Sequence, residues 1–445
     1  MAHIEPFRAL RYDPARANLH EVATQPYDKI TPQMQDRYYS ASPYNLVRII
    51  LGKHQPSDRS NDNVYTRAAD CFRDWRREGI LRQDPEPSLY RYVQRFSAPS
   101  SSAKEAVQFE RQGFIALGKL EDYSAEIVFR HEQTLSKPKA DRLDLLRATR
   151  AHFGQIFMLY SDPPSEIERA LASADPPQME MNDEYGVSHR VWRIPDSGII
   201  ERVRNKMRDK KLIIADGHHR YETALTYRNE RRTASDSTTK DTKSREGTKA
   251  APYELAMMTF VNMDSPGLLI LPTHRVVHGL ENVSADRFRT AAGKFFSVEE
   301  ADPGLSAPRA VAMLKEAAHT GSSILAIFRD RAFLLSRPSS PDHIFHNVSV
   351  RQQSLDVVQL HKCLLENALG ISEEAIRNQK NVTYIRDAVE ALQQVRSGHA
   401  EIAFLMNPVR IEQMRDIALA GEVLPQKSTD FYPKLLSGLT TYALE

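Results

Sequence analysis

The chain has 445 residues, 41% of them hydrophobic and 27% charged, which predicts an ordinary globular protein of two or three domains. Lys and Arg number 60 against 58 Asp and Glu, a balance that argues against nucleic-acid or membrane binding by bulk charge. Two cysteines, Cys71 and Cys363, are too few for a disulfide framework or a cysteine zinc site. Without a signal-peptide core or a run of roughly 18 apolar residues, the expected location is cytoplasmic.

Strand-like and helix-like patterns alternate along the chain, which predicts a mixed α/β (α+β) class. NLVRIILGK (45–53) predicts a buried strand, and NVYTRAADCFRDWRREGIL (63–81) predicts a helix. SLYRYVQRF (88–96) and FIALGKL (114–120) predict two strands of one antiparallel sheet. ADRLDLLRATRAHF (140–153) has the apolar spacing of an amphipathic helix.

The later segments predict a multi-domain chain. A Pro-rich stretch near 174–184 is a candidate boundary, and 231–250 is so poor in apolar residues that it predicts a mobile insertion. SSILAIFRDRAFLLS (322–336) predicts a hairpin, and the last third is more helical. The predicted regions are an N-terminal α+β region (1–165), a middle region with a strand–turn–helix core at 211–228 (166–290), and a C-terminal α+β region (291–445).

The stretch KLIIADGHHRYETAL places an acid, a glycine, two histidines and an arginine in one turn, Asp216 to Arg220. LIIA predicts a buried strand and YETALTYRNERR a helix, so the turn lies at a helix N-terminus, which attracts phosphate or carboxylate groups. Gly217 would let the backbone approach a ligand. His218 and His219 could donate to phosphate oxygens, which Arg220 could bind bidentately. Asp216 could hold a metal, although a simple helix cap with surface histidines is the alternative.

Two further clusters carry polar chemistry. In IVFRHEQTLSKPKADRLDLL (127–146), His131 and Glu132 follow a strand, and HEQT lacks the second histidine of a zinc-protease helix. This cluster offers acid–base groups or, equally, surface ion pairs. In LPQKSTDFYPKLLSGL (424–439), Lys427, Ser428 and Thr429 lack the glycines of a P-loop; the two lysines of the stretch could line an anionic pocket, and a packing segment is equally plausible.

Weaker signals surround these clusters. Asp28, in QPYDKI (25–30), could cap a turn. His274 and Arg275, in LPTHRVVHG (271–279), are each more typical of the protein surface. The dinucleotide, α/β-hydrolase and protein-kinase motifs are missing from the sequence, which disfavours those enzyme classes.

Together these segments resemble the prokaryotic domain of unknown function 1015 family over about residues 3–440. The resemblance rests on PFRALRYD, QPYDKI, SPYNLV, HEQT with KADR, ADGHHRYETAL, LPTHRVV and LPQKSTDFYPKLLSGL, in that order.

The turn itself is similar to the nucleotide-binding turn of the ParB/sulfiredoxin superfamily, which includes a free-serine kinase and the CTP-binding partition proteins. This resemblance implies that Asp216, His218, His219 and Arg220 bind phosphates or Mg²⁺. The general base would be a carboxylate outside this turn, with Glu132 as the first candidate and Asp28 as the second. Sulfiredoxin chemistry needs a cysteine in the turn, and this sequence has histidines there.

The leading hypothesis is a phosphotransferase that uses Mg²⁺ and ATP or ADP and acts on a small, serine-like hydroxylated metabolite. Its predicted catalytic residues are Glu132, Asp28 and His219, and Asp216 would be the metal ligand. The nucleotide would contact Gly217, His218, His219, Arg220, Lys427, Ser428 and Thr429. A metal-dependent phosphoesterase and a non-catalytic, nucleotide-responsive regulatory module are the alternatives. Expected partners are the small substrate and the nucleotide, with self-association left open and membrane and nucleic acid disfavoured.

Overall fold

The computed structural model describes residues 1–99, 107–132, 137–238, 250–281, 283–338, 344–346 and 348–445. Contacts divide the chain into two compact units. The first comprises Met1–Arg130, Thr134–Leu268 and Pro433–Glu445, and the second comprises His131–Gln133 and Leu269–Tyr432. Both units combine helices with sheets, so the predicted mixed α/β class is confirmed. The three-region division stays a prediction.

The first unit is built on a nine-stranded mixed sheet among the described residues. Leu212–Asp216 runs parallel to Val128–Arg130 and antiparallel to Ile156–Tyr160, and its first four residues are buried, as expected for an inner strand. Along the sheet the strands are Val128–Arg130, Leu212–Asp216, Ile156–Tyr160, Leu255–Asn262, Gln108–Lys119, Leu89–Ser97, Ser188–Ile194 and Met179–Asn182, with Ile4–Glu5 beside Gln108–Lys119. Two small pairs are Leu10–Tyr12 with Leu81–Gln83 and Ala151–His152 with Tyr442–Ala443.

The strands predicted at 88–96 and 114–120 do pair antiparallel, as Leu89–Ser97 with Gln108–Lys119. The helices predicted at 63–81 and 140–153 are also confirmed, as Val64–Arg77 and Lys137–Thr149. The other helices of this unit are Leu19–Val22, Pro32–Ala41, Val47–Ile50, Glu166–Ala170, Ser197–Met207 and His218–Thr238, with 3₁₀ turns at Tyr27–Lys29, Tyr123–Ala125 and Pro252–Glu254.

One prediction in this unit is wrong, and another falls largely outside the described residues. The apolar run at 45–53 is a short helix, Val47–Ile50, because the Asn45 side chain accepts the N–H of Val47 at 2.9 Å and starts a helical turn. The insertion expected at 231–250 begins as a continuation of the helix His218–Thr238. The remainder, 239–249, lies outside the described residues.

The second unit contains a six-stranded antiparallel sheet in its described part. Its strands, in spatial order, are Ser297–Ala301, Ala332–Ser336, Ser323–Ile327, Ile402–Met406, His274–Val277 and Val382–Ile385. The predicted hairpin at 322–336 is therefore confirmed. Leu269–Leu271 and Asp430–Tyr432 form a separate pair. The helices are Ala285–Ala292, Ala307–Ala317, Val350–Gln353, Asp356–Gln359, Glu373–Arg377, Ala388–Arg396 and Ile411–Leu419, with a 3₁₀ turn at Ala318–Thr320 and a π-helix at Leu360–Ala368. Across both units, the described helices include none with the length and apolarity needed to cross a membrane.

Candidate functional site

The predicted strand–turn–helix is present, with Gly217 between the strand Leu212–Asp216 and the helix His218–Thr238. Gly217 has a φ of 87°, in the left-handed region that favours glycine. A Cβ atom at this position would lie 2.9 Å from Nε of Arg220. The glycine therefore serves two purposes, because it permits the turn and it lets the arginine pack against the backbone.

Asp216 is the electrostatic centre of the turn. Its Oδ2 accepts a hydrogen bond from Nη2 of Arg220 at 2.8 Å, and its Oδ1 accepts one from Nζ of Lys434 at 3.2 Å. Burial alone would raise the pKa of Asp216, but Lys434, Arg220 and Lys29 outweigh that effect and hold the pKa well below its ordinary value. The carboxylate is thus ionised and surrounded by cations. We call Asp216, Arg220, Lys434 and Lys29 the Asp216 cluster.

The buried side chain of Arg111 holds the backbone next to Lys434 in place. Arg111 is 2% exposed and donates to the backbone oxygen of Pro433 at 2.5 Å and to Oε1 of Gln94 at 3.0 Å. Gln94 in turn donates to the backbone oxygen of Lys434 at 2.9 Å. Burial lowers the pKa of Arg111 to about 10, although Tyr92 and Asp216 favour its charged form. Arg111 and Gln94 therefore fix the chain around Lys434.

Sequence reasoning singled out neither Arg111 nor Lys29 and named Lys434 only as one of two lysines in its stretch. Lys29 belongs to QPYDKI, and Lys434 belongs to LPQKSTDFYPKLLSGL. The available signal was that both segments carry the family resemblance together with the turn from Asp216 to Arg220. Arg111 follows Glu110 directly within the sheet strand Gln108–Lys119, and this local pattern gives no sign of function.

The side chain of Arg220, which was predicted to bind a phosphate, already donates hydrogen bonds within the protein. Besides its bond to Asp216, its Nη1 donates to the backbone oxygen of Gln155 at 2.6 Å, and its side chain is 14% exposed. Internal acceptors therefore occupy both terminal nitrogens. A phosphate at this turn would contact Arg220 through its remaining donors or by displacing one of these partners.

A cavity adjoins the Asp216 cluster within the first unit. Arg220, Tyr27, Arg142 and Thr223 line it, and Oγ1 of Thr223 is buried without a hydrogen-bond partner among the described residues. Arg142 stacks over the Tyr27 ring at 4.2 Å. Arg142 also lines a second, roomier cavity of ≈ 440 Å³, which is within the usual size range for small-molecule sites.

The remaining predicted residues of the first unit lie close by in the chain. His218 and His219 form the first turn of their helix and are partly buried. Asp28 is exposed in the 3₁₀ turn Tyr27–Lys29, directly before Lys29. The first N–H groups of the helix His218–Thr238 have no acceptor within the helix, so they add partial positive charge at the cluster.

Glu132, Lys427, Ser428 and Thr429 belong to the second unit. A carboxylate oxygen of Glu132 accepts the backbone N–H of Lys427, whose φ is 56°. His131 is fully buried, and its Nε2 lies 2.7 Å from Oγ1 of Thr429. Ser428 donates to the backbone oxygen of Pro425 at 2.6 Å. The segments near 131 and 427 therefore meet, whereas their relation to residue 216 stays a prediction.

The Asp216 cluster does not fit a magnesium ion held by protein ligands. Both oxygens of Asp216 already accept hydrogen bonds from cations, and no group of three or more His, Cys, Asp or Glu side chains in the described part of the chain could hold a metal ion. Magnesium usually takes one or two carboxylates together with substrate phosphates. The arrangement therefore fits an anion better than a resident metal.

Comparison with known proteins identifies the family. The model of the family described as Protein of unknown function (DUF1015) matches residues 4–358, most of the chain. The chain belongs to this family. Curated proteins gave no match. The segments on which the family resemblance was based include both QPYDKI and ADGHHRYETAL, which lie within the matched range and supply Lys29 and Asp216.

Several solved structures resemble this family member at low sequence identity. Free serine kinase in complex with AMP is 11% identical, with a TM-score of 0.35 over 68% of this chain and 83% of that one. A conserved hypothetical protein from Pyrococcus furiosus is 12% identical, with a TM-score of 0.34 over 68% and 87%. SbnI with a C-terminal truncation, from Staphylococcus aureus, is 10% identical, with a TM-score of 0.34 over 73% and 85%. Similarities of this size do not indicate a shared ligand or reaction.

Proposed function

We propose that the first unit binds a nucleotide, ATP or ADP, with its phosphates at the Asp216 cluster, and transfers a phosphoryl group to a small, serine-like hydroxylated metabolite. The observation that carries this proposal is the charge of the cluster. Three cationic groups, Lys434, Arg220 and Lys29, act on the single carboxylate of Asp216, which leaves a formal excess of two positive charges. Excess positive charge at a helix N-terminus favours a phosphate ligand.

The neighbouring cavities give the rest of a nucleotide a place to bind. The ≈ 440 Å³ cavity is lined by apolar Ile49 and Ile50 and by polar Tyr65 and Asp141, a mixture suited to a base and a ribose. Arg142 lines both this cavity and the one beside Arg220. A nucleotide could therefore lie along the first unit with its phosphates toward Asp216.

Phosphoryl transfer would break the bond between the terminal phosphorus and its bridging oxygen and form a bond to the hydroxyl oxygen of the acceptor. Positioning and charge neutralisation supply most of such catalysis, and the cations of the cluster suit this role. The hydroxyl proton would pass to a carboxylate. Asp28, exposed beside Lys29 in the first unit, and Glu132 of the second unit are the two candidates.

The experiment combines the full chain with ATP or ADP, Mg²⁺ and a panel of amino and hydroxy acids, and follows the products by phosphorus NMR. Asp28→Asn and Glu132→Gln are compared, with exposed Asp209→Asn as the matched control. Loss of the general base should lower turnover by roughly 10²–10⁴-fold and leave the nucleotide affinity within a few-fold of wild type. His219→Ala should weaken nucleotide binding in calorimetry.

Nucleotide binding that is undetectable by calorimetry, with wild type and His219→Ala indistinguishable, would contradict the proposal. Phosphate release that needs no acceptor would favour the phosphoesterase instead. Tight nucleotide binding without turnover would favour a regulatory module.

A further inference from the structure

The second unit contains a cavity of its own, of ≈ 220 Å³. His361, Tyr384 and Gln426 contribute to its lining, together with the charged residues Lys362, Glu366 and Arg377. The volume lies below the roughly 300–1,000 Å³ of drug-sized ligand sites. A cavity of this size suits a small metabolite.

Three polar atoms in the lining are buried without a hydrogen-bond partner among the described residues. They are Nε2 of His361, the hydroxyl oxygen of Tyr384 and Oε1 of Gln426. His361 is only 8% exposed. A buried polar group that makes no hydrogen bond destabilises the fold, and a polar ligand in this small cavity would satisfy all three groups.

The charges at the cavity are balanced and mutually paired. Nζ of Lys362 lies 3.0 Å from a carboxylate oxygen of Glu366 and 3.6 Å from one of Glu373, and Arg377 pairs with Glu373 at 2.9 Å. Burial, and then Arg275 and Lys362, lowers the pKa of His361 well below its ordinary value, so its imidazole is neutral. A ligand with one positive and one negative group could exchange partners with these pairs without leaving a charge unpaired.

The chain presents these groups from an unusual helix. His361, Lys362 and Glu366 all lie on the π-helix Leu360–Ala368, which ends with an N–H of Leu369 donating to the backbone oxygen of Leu364 at 2.9 Å. π-Helices are rare, and they occur frequently at functional sites. The wider turn brings residues one and five positions after His361 to the same cavity.

We propose that this cavity is a binding site for a small zwitterionic metabolite of the free amino-acid class with an uncharged polar side chain. The ammonium group contacts Glu366 and the carboxylate contacts Lys362. The side-chain hydroxyl or amide satisfies His361, Tyr384 and Gln426. None of the residues lining this cavity belongs to the Asp216 cluster, and the proposal for this site does not rest on nucleotide binding at that cluster.

The test measures thermal stabilisation of the full chain and calorimetric affinity with L-threonine and L-glutamine as probes. Acetate, methylammonium and glycerol, which carry only a negative charge, only a positive charge and no charge, are the ligand controls. Tyr384→Phe removes one unpartnered hydroxyl, and Tyr432→Phe, which does not line this cavity, is the matched variant. Glu366→Gln removes the proposed ammonium partner.

We expect at least one amino acid to bind wild type and Tyr432→Phe equally, and to bind both Tyr384→Phe and Glu366→Gln about tenfold or more weakly. Without ligand, Tyr384→Phe should be as stable as wild type or more stable, because it removes an unsatisfied polar group. Failure of both amino acids to bind at millimolar concentration would overturn the proposal. Acetate or glycerol binding as tightly as the zwitterions, or Tyr384→Phe binding like wild type, would also overturn it.

Discussion

The carboxylate of Asp216 and the guanidinium of Arg220, four residues later in the chain, are joined by a hydrogen bond of 2.8 Å. Arg220, which was expected to bind a phosphate, therefore binds the carboxylate of Asp216 in its own turn. Lys434 occupies the other carboxylate oxygen at 3.2 Å. The two hydrogen bonds connect the turn to Lys434, and Asp216 is the group that keeps these cations together.

Replacing that carboxylate should destabilise the first unit. Asp216→Asn preserves the shape of the side chain and removes its charge, which leaves Arg220 and Lys434 close together without a counterion. Because hydrogen bonds to charged groups contribute roughly 1.5–3 kcal/mol each, and Asp216 remains 24% exposed, we expect the free energy of unfolding to fall by about 2 kcal/mol. Urea unfolding at neutral pH measures this change.

The pH dependence of that difference has a defined sign. A carboxylate with a depressed pKa stabilises the folded state fully above its ordinary value of 3.8, and this stabilisation is lost as the pH falls toward the lower folded value. The stability difference between wild type and Asp216→Asn should therefore be constant from neutral pH to about pH 5 and shrink below about pH 4. A difference that grows on acidification would contradict the ion-pair assignment.

Gly217→Ala should affect the ligand as well as the fold. The variant introduces left-handed strain at a φ of 87° and places a Cβ 2.9 Å from Nε of Arg220. Gly186→Ala is the control, because Gly186 also has a positive φ, 74°, but a Cβ there would have nothing within 4 Å. Both variants should lose about 1–2 kcal/mol of stability, measured by urea unfolding. Only Gly217→Ala should weaken nucleotide binding in calorimetry, and equal binding by the two variants would argue against a role for the turn.

Local patterns in the sequence predicted much of this fold. The strand–turn–helix at 211–228 follows from an apolar run, a glycine and strong helix formers. The hairpin of Ser323–Ile327 with Ala332–Ser336 follows from two apolar runs on either side of a polar turn. The run at 45–53 failed because apolar periodicity alone cannot distinguish a short strand from a buried helical turn. There the Asn45 side chain accepts the N–H of Val47, which favours a helical turn.

The candidate site was less accessible from the sequence, because its parts come from distant segments. Glu132 and Lys427 were predicted independently and are joined by a hydrogen bond. Lys29, Arg111 and Lys434, in contrast, come together around Asp216 only because the strand Gln108–Lys119 and the segment Pro433–Glu445 belong to the same unit. Arg275 was expected at the surface and is 1% exposed. A single sequence gives no sign that a charged residue is buried when its partners lie far along the chain.

His274 was also expected at the surface, and its burial predicts an acid-sensitive second unit. It is 1% exposed, and its Nδ1 accepts the backbone N–H of Met406 at 3.3 Å. Burial, with the adjacent Arg275, lowers its pKa from 6.5 to about 4. Because the unfolded chain binds this proton first, stability should fall as the pH drops from about 6.5 to about 4.

His274→Gln keeps a hydrogen-bond acceptor and removes the titration. The stability difference between wild type and the variant should shift by about 3 kcal/mol between pH 7 and pH 4, in favour of the variant on acidification. Urea unfolding across this range measures it. A variant with the wild-type pH dependence would show that His274 does not control acid sensitivity.

Lys434→Met gives the most direct test of the anion site. The side chain is 9% exposed and its Nζ lies 3.2 Å from Asp216, so methionine can replace its buried aliphatic part while the charge is lost. Because the Asp216 cluster then has a formal excess of only one positive charge, we expect ATP or ADP affinity to fall by about tenfold or more.

Lys206→Met is the matched control, since Lys206 is 47% exposed and pairs with Glu166 instead. Calorimetry in low and high salt should show a smaller salt dependence of binding for Lys434→Met than for Lys206→Met. Equal affinities in the two variants would place the nucleotide phosphates away from Asp216.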